Sequence, residues 1–161
     1  MESVMETYEV VQKILTFGAQ YEVRASDRPE VLMTIVGKVL STSPKLTMRD
    51  GEREIATMQG NFMKTKFECF DAENQSLAKL SFPLIALKKG FTITMGDAEL
   101  KADGGYFAGE FDCKNANGET VLKITKQLAL RDKFAVQTNG TLPRDVALLT
   151  AVAIDQKFFQ E

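Results

Sequence analysis

Glu110 and Asp112 alternate along Glu110-Phe111-Asp112-Cys113, so both carboxylates point to one side of a strand, the minimum arrangement for acid–base chemistry. Their neighbours argue against that use. Phe107, Phe111 and Cys113 take the inward positions, which leaves the two acids facing solvent as an acidic stripe. A calcium frame can be laid on Cys113-Lys114-Asn115-Ala116-Asn117-Gly118, with Asn at its third and fifth places and Gly at the sixth. However, Cys113 stands where the first acid belongs and Ile124 where the bidentate Glu belongs. The ligands that carry most of the charge are missing, and the segment reads as a hairpin turn. Gly104, Gly105 and Gly109 do not spell a phosphate loop, because no helix follows to receive a phosphate. They read as turn and bend positions.

The chain contains no histidine. That removes the usual proton shuttle near neutral pH, the commonest transition-metal ligand, and every Ser-His or Cys-His nucleophile. Ser-Lys or carboxylate chemistry survives this exclusion but has no positional support. The two cysteines, Cys69 and Cys113, lie far apart in strand-like segments and read as buried free thiols rather than a disulfide framework. No catalytic residue, metal site or cofactor is expected, and the chain reads as non-enzymatic.

Positive charge is the chemistry that remains. Lys38, Lys45, Lys64, Lys66, Lys88, Lys89, Lys126, Arg131 and Lys133 recur near the turns. The densest sets are Lys64 with Lys66, Lys88 with Lys89, and Arg131 with Lys133, and a fold that gathers them could hold phosphates through charge-assisted bonds. The competing reading is solvated hairpin turns, with edge lysines discouraging strand pairing between molecules. Acids are as plentiful as bases: 22 Asp and Glu against 20 Lys and Arg, for a formal net charge of −2. General attraction to nucleic acid is not expected from that balance.

The elements that must position these residues are strands. With 161 residues, 44% hydrophobic and 26% charged, the chain fits one globular domain over 1–161. Four segments share one plan, an apolar-rich strand, a basic turn and an alternating strand opened by Leu or Phe. They pair Val31–Ile35 with Leu46–Arg49, Glu54–Met58 with Phe67–Phe70, Ser76–Leu80 with Phe91–Met95, and Thr120–Ile124 with Phe134–Gln137. Looser hairpins join Tyr8–Leu15 to Tyr21–Ala25 and Glu99–Ala102 to Tyr106–Cys113. Asp50-Gly51, Asp103-Gly104, Asn117-Gly118 and Asn139-Gly140 mark tight turns, which join antiparallel neighbours. The six hairpins predict about twelve strands over residues 7–139.

The character then changes. Thr141-Leu142-Pro143 opens a helix predicted over about 142–160, with Pro143 in its first turn. From Val146 to Ile154 only Thr150 is polar, so this helix has no solvated side. It is too short to span a bilayer, which takes about 20 apolar residues. A barrel of about eight strands fills with its own side chains, whereas a larger one needs something inside, and a helix about 10–12 Å across is a suitable plug. The prediction is a mainly β (α+β) fold: a closed antiparallel barrel of about twelve strands around a central C-terminal helix.

Asp155 and Gln156 end the apolar run, and a buried carboxylate needs partners. They read as a structural anchor, bonded to backbone groups or a basic residue of the barrel, with a polar site at the barrel mouth as the alternative. The seven methionines and eleven phenylalanines read as core filling; Phe158 and Phe159 read as sealing the barrel end, with binding of a partner as the alternative.

Tyr8-Glu9-Val10-Val11-Gln12-Lys13, Leu130-Arg131-Asp132-Lys133-Phe134 and Ala151-Val152-Ala153-Ile154-Asp155-Gln156, in this order and spacing, resemble the tubby C-terminal-like superfamily. The likeness is strongest to its LURP-one-related (LOR) branch, to which phospholipid scramblases are related. The resemblance implies a twelve-stranded barrel around a central helix, the same architecture that the residue pattern predicts. It also implies binding of anionic phospholipid or phosphoinositide headgroups, or of a protein partner, through the outer surface. Scrambling is not carried over, because the Pro-rich and Cys-rich segments of scramblases are absent from this sequence. The alternatives are a small-molecule carrier barrel and a structural or interaction protein with no lipid role. Met1–Thr7 lacks the basic start and apolar run of a signal peptide, which predicts a cytoplasmic protein, peripheral to a membrane if it binds one.

Overall fold

The computed structural model describes residues 5–14, 19–37, 43–83, 90–104, 109–127 and 133–159. The first half of the chain forms β1 (Glu6–Ile14), β2 (Ala19–Ala25), β3 (Val31–Gly37), β4 (Lys45–Asp50), β5 (Arg53–Gly60) and β6 (Lys66–Asp71). The second half forms β7 (Ser76–Ser81), β8 (Gly90–Met95), β9 (Ala98–Gly104), β10 (Glu110–Lys114), β11 (Thr120–Gln127) and β12 (Lys133–Thr138). Each strand pairs antiparallel with its neighbours in sequence, and β12 returns to pair with β1, so the twelve strands close into a barrel with no free edge. In the closing pair Tyr8 faces Val136 and Val10 faces Phe134.

Alternation sets which residues point inward. Along β4 Leu46 and Met48 are buried between outward Lys45, Thr47 and Arg49; along β8 Phe91 and Ile93 are buried between outward threonines. The six predicted hairpins are all present as neighbouring strand pairs. One predicted turn is not. Asp103 and Gly104 lie within β9, because the ladder includes the dipeptide and pairs it with Asp112 and Phe111. A turn not anticipated falls at Gly96-Asp97 between β8 and β9, where Gly96 takes φ 55°.

The interior is filled by α1 (Arg144–Ile154). Pro143 sits one residue earlier than expected, at the N-cap rather than in the first turn, and its carbonyl accepts the N–H of Ala147. Every residue from Val146 to Ile154 is buried, and α1 packs against β12, β1, β4, β5 and β7, strands on several sides of the barrel. The helix is therefore the core against which the inward faces of the strands pack. Beyond Ile154 the chain widens into one π-helical turn, Asp155–Phe159. No helix among the described residues is long and apolar enough to cross a membrane.

Candidate functional site

Because successive strands run in opposite directions, the ends of odd strands and the starts of even strands share one rim. The helix enters at the other rim, after β12, and ends at this one, which we call the exit rim. Asp155 lies there, fully buried at the end of α1. Its Oδ2 accepts a hydrogen bond from the Tyr21 hydroxyl of β2 at 2.5 Å. One turn on, Phe158 stacks on Phe111 of β10 with ring centroids 5.9 Å apart and meets Phe82 edge-on at 5.4 Å. Phe82 also meets Phe67 and Phe91 edge-on, so one side of the exit rim is closed by aromatic rings. The side chain of Phe159 lies outside the described residues.

The same strand directions sort the charges. Among the described residues, Lys13, Lys45, Lys64, Lys66, Lys126, Lys133 and Lys157 stand at the exit rim, against the acids Asp103 and Glu110, the buried Asp155, and Glu22 and Glu9, which pair with Lys13 and Lys133. The turns of the entry rim carry Asp27, Glu30, Glu52, Glu73, Asp97 and Glu119, with Asp50, Glu54 and Asp71 at adjoining strand ends. Their basic counterparts are Arg24, Arg28, Arg49, Arg53, Lys114 and Arg144. The barrel is thus polarised along its axis although its formal net charge is only −2.

Within the exit rim the predicted clusters are divided. Lys64 and Lys66 belong to the β5–β6 connection, whereas Lys133 opens β12, five strands away around the closed sheet and nearly opposite. Lys133 is paired with Glu9 at 3.4 Å. Lys88, Lys89 and Arg131, and also Lys38, lie outside the described residues. The residues brought together with Lys64 and Lys66 are two that sequence reasoning did not group with them. Lys45 opens β4, next to β5, and Lys157 reaches from the π-helical turn to the Met63 carbonyl at 3.5 Å. The Lys157 ammonium also sits 6.0 Å from the centre of the Phe82 ring.

The β5–β6 connection, residues 61–65, is tightly built. The Asn61 side-chain oxygen accepts the N–H groups of Thr65 at 2.8 Å and Lys66 at 3.1 Å, and its amide donates to the Thr65 hydroxyl at 2.8 Å. Lys64 N–H closes back on the Asn61 carbonyl at 3.1 Å. These bonds hold Lys64 at φ 55°, a conformation that a non-glycine residue keeps only where its surroundings insist on it. Below the loop, the outer wall carries a shallow groove bounded by Gln59, Lys66, Glu68, Lys79, Ser81 and Thr94, so the Glu68 carboxylate shares it with the two lysines.

The LURP-one-related family profile matches residues 6–155, which span the barrel from β1 to Asp155. This chain belongs to that family. Among curated proteins no relative matches it. The architecture is the one the resemblance implied for LURP-one-related and tubby-like proteins, a closed twelve-stranded barrel with a single C-terminal helix.

The other sequence candidates have structural work in this LURP-one-related barrel. Glu110 pairs with Lys123 at 2.9 Å, and this carboxylate raises the Lys123 pKa; Asp112 accepts the Thr120 hydroxyl at 2.7 Å. In the rejected calcium frame, Asn115 turns its side-chain oxygen onto the N–H groups of Asn117 and Glu119 and so holds a hairpin turn. Cys69 and Cys113 are free and buried, and burial pushes each thiol up to about 12. Gln156 is half-buried beside Asp155. Tyr21, the partner of Asp155, is not among the sequence candidates; the signal that points to it is a hydroxyl on an otherwise apolar inward face.

Proposed function

We propose that this LURP-one-related barrel is a non-enzymatic binding module that takes anionic phospholipid headgroups at its exit rim. The observation that carries this reading is the segregation of charge between the two rims. Lys45, Lys64, Lys66 and Lys157 lie on one side of the exit rim, and Lys45, Lys64 and Lys66 form no ion pair with another described residue, so their charge faces outward. Each lysine held near an anionic bilayer contributes about 1 kcal/mol of attraction, and the acidic entry rim orients the barrel away from it. The proposed set also includes Lys88, Lys89 and Arg131, which lie outside the described residues, and Lys133, which stands on the far side of the rim paired with Glu9. The packing of α1 through the interior weighs against the alternative of a small-molecule carrier.

Sedimentation with vesicles tests the reading. The protein is expected to pellet with phosphatidylcholine vesicles that contain phosphatidylserine or a phosphatidylinositol phosphate, to stay in solution with phosphatidylcholine alone, and to be released by salt. Identical partitioning with both kinds of vesicle would remove it.

A further inference from the structure

Phe62 and Met63 are the most exposed large apolar residues among those described, 72% and 59% accessible, and they stand side by side at the tip of the β5–β6 connection. A hairpin tip with no binding role is normally polar. This one is also held rigidly. The Asn61 bonds fix the loop from below, Lys157 donates to the Met63 carbonyl, and Lys64 keeps its positive φ. The two side chains therefore face water without a mobile loop that could fold them back, and little ordering remains to be done when they are buried.

The charge around the tip selects the occupant. Lys64 and Lys66 follow it directly, and Lys45 and Lys157 stand on the neighbouring elements. A second exposed apolar pair, Val31 and Leu32, lies at the entry rim, where Arg24 is the strand partner of Val31 and Arg28 precedes the pair between Asp27 and Glu30. The cations there are matched by adjoining acids, whereas the lysines around Phe62 and Met63 are in excess, the combination of apolar surface and positive charge that suits an anionic bilayer surface. A second copy of this chain fits poorly, since a two-fold contact through the tip would bring one lysine set against the other.

We infer that Phe62 and Met63 form an apolar wedge that enters the interfacial layer of an anionic membrane while Lys45, Lys64, Lys66 and Lys157 contact its headgroups. This rests on the anionic-lipid reading above and adds the point of entry and the orientation: exit rim down, entry rim away from the bilayer.

The chain has no tryptophan, so a Phe62→Trp variant carries one indole at the tip and a Leu32→Trp variant one at the opposite rim. Both are mixed with phosphatidylcholine vesicles bearing brominated acyl chains, with and without phosphatidylserine. With phosphatidylserine the Phe62→Trp indole shifts to the blue and is quenched, while the Leu32→Trp indole is unaffected. Phe62→Ser with Met63→Ser lowers the affinity on the order of tenfold and leaves its salt dependence unchanged. Lys64→Gln and Lys66→Gln each lower it about fivefold and reduce the salt dependence. Phe62, Met63 and Lys66 are exposed and Lys64 is half-buried, and an unchanged thermal midpoint shows that each variant is folded. If the protein binds anionic vesicles but the Phe62→Trp indole stays unquenched, the wedge is wrong and the lipid reading survives, with a protein partner the next occupant to seek. Absence of any binding removes both. A dimer that Phe62→Ser dissolves would assign the tip to a second copy instead.

Discussion

The hydroxyl of Tyr21 donates to Oδ2 of Asp155 at 2.5 Å, across 134 residues of sequence and with both residues fully buried. The bond ties the end of the core helix to the wall of the barrel at the rim where the lysines collect. Removing one partner strands a buried polar group, which costs more than the bond itself contributes. Tyr21→Phe is expected to destabilise the fold by about 2 kcal/mol, measured by urea unfolding. In a double-mutant cycle with Asp155→Ala the two effects should couple rather than add. An anchor of this kind predicts loss of stability with vesicle binding intact in whatever fraction remains folded. A fully stable Asp155→Ala protein that had lost binding would make Asp155 part of the site.

Thr150 is the single polar residue in the apolar run of α1, and its hydroxyl is buried with no hydrogen-bond partner among the described residues. Valine has nearly the same shape and no hydroxyl to desolvate. Thr150→Val is expected to raise stability by about 1 kcal/mol, seen as a higher urea midpoint at unchanged slope. A lower midpoint would mean that the hydroxyl is satisfied in solution.

Burial lifts the Cys69 and Cys113 thiols from the ordinary 9.0 to about 12, with Asp145 and Asp71 adding to the effect on Cys69 and Asp112 to that on Cys113. Above pH 9.0 the unfolded chain releases thiol protons that the folded chain keeps, so these groups make stability fall as pH rises towards about 12. The slope approaches about 1.4 kcal/mol per pH unit for each thiol. Unfolding measured on the two sides of that ordinary value should show a shallower loss for Cys113→Ala than for the wild-type chain. Equal slopes would mean that the thiol ionises freely in the fold.

Much of the barrel was legible because its signals are local. Alternation in Leu46-Thr47-Met48 and Phe91-Thr92-Ile93 marks the inward face, and Gly51 and Gly118 mark turns at positive φ. Asp103-Gly104 misled because the same dipeptide can be carried inside a ladder when the pairing includes it, as it does opposite Asp112 and Phe111. The Tyr21–Asp155 bond leaves no local trace; it depends on how far the helix rises through the barrel. The rim lysines were only half legible. Counting strand directions puts Lys64, Lys66 and Lys133 at one rim, but closure of the sheet decides that Lys133 lies nearly opposite and that Lys45 and Lys157 are the true neighbours of Lys64. Phe62 and Met63 depart from the reading of the phenylalanines and methionines as core filling: they stand exposed in the turn between β5 and β6, where composition carries no sign of which apolar residues reach the core.

The central claim is that one rim, and not net charge, carries the binding. Two variants of equal charge separate these directly: Lys64→Glu with Lys66→Glu at the exit rim, and Arg28→Glu with Arg53→Glu at the entry rim. Their affinities for phosphatidylserine-containing vesicles are compared at one salt concentration. The account predicts that the exit-rim pair abolishes binding while the entry-rim pair binds within about twofold of the wild-type chain, because charges beyond a Debye length of about 8 Å from the bilayer are screened. Equal losses in the two variants would contradict it.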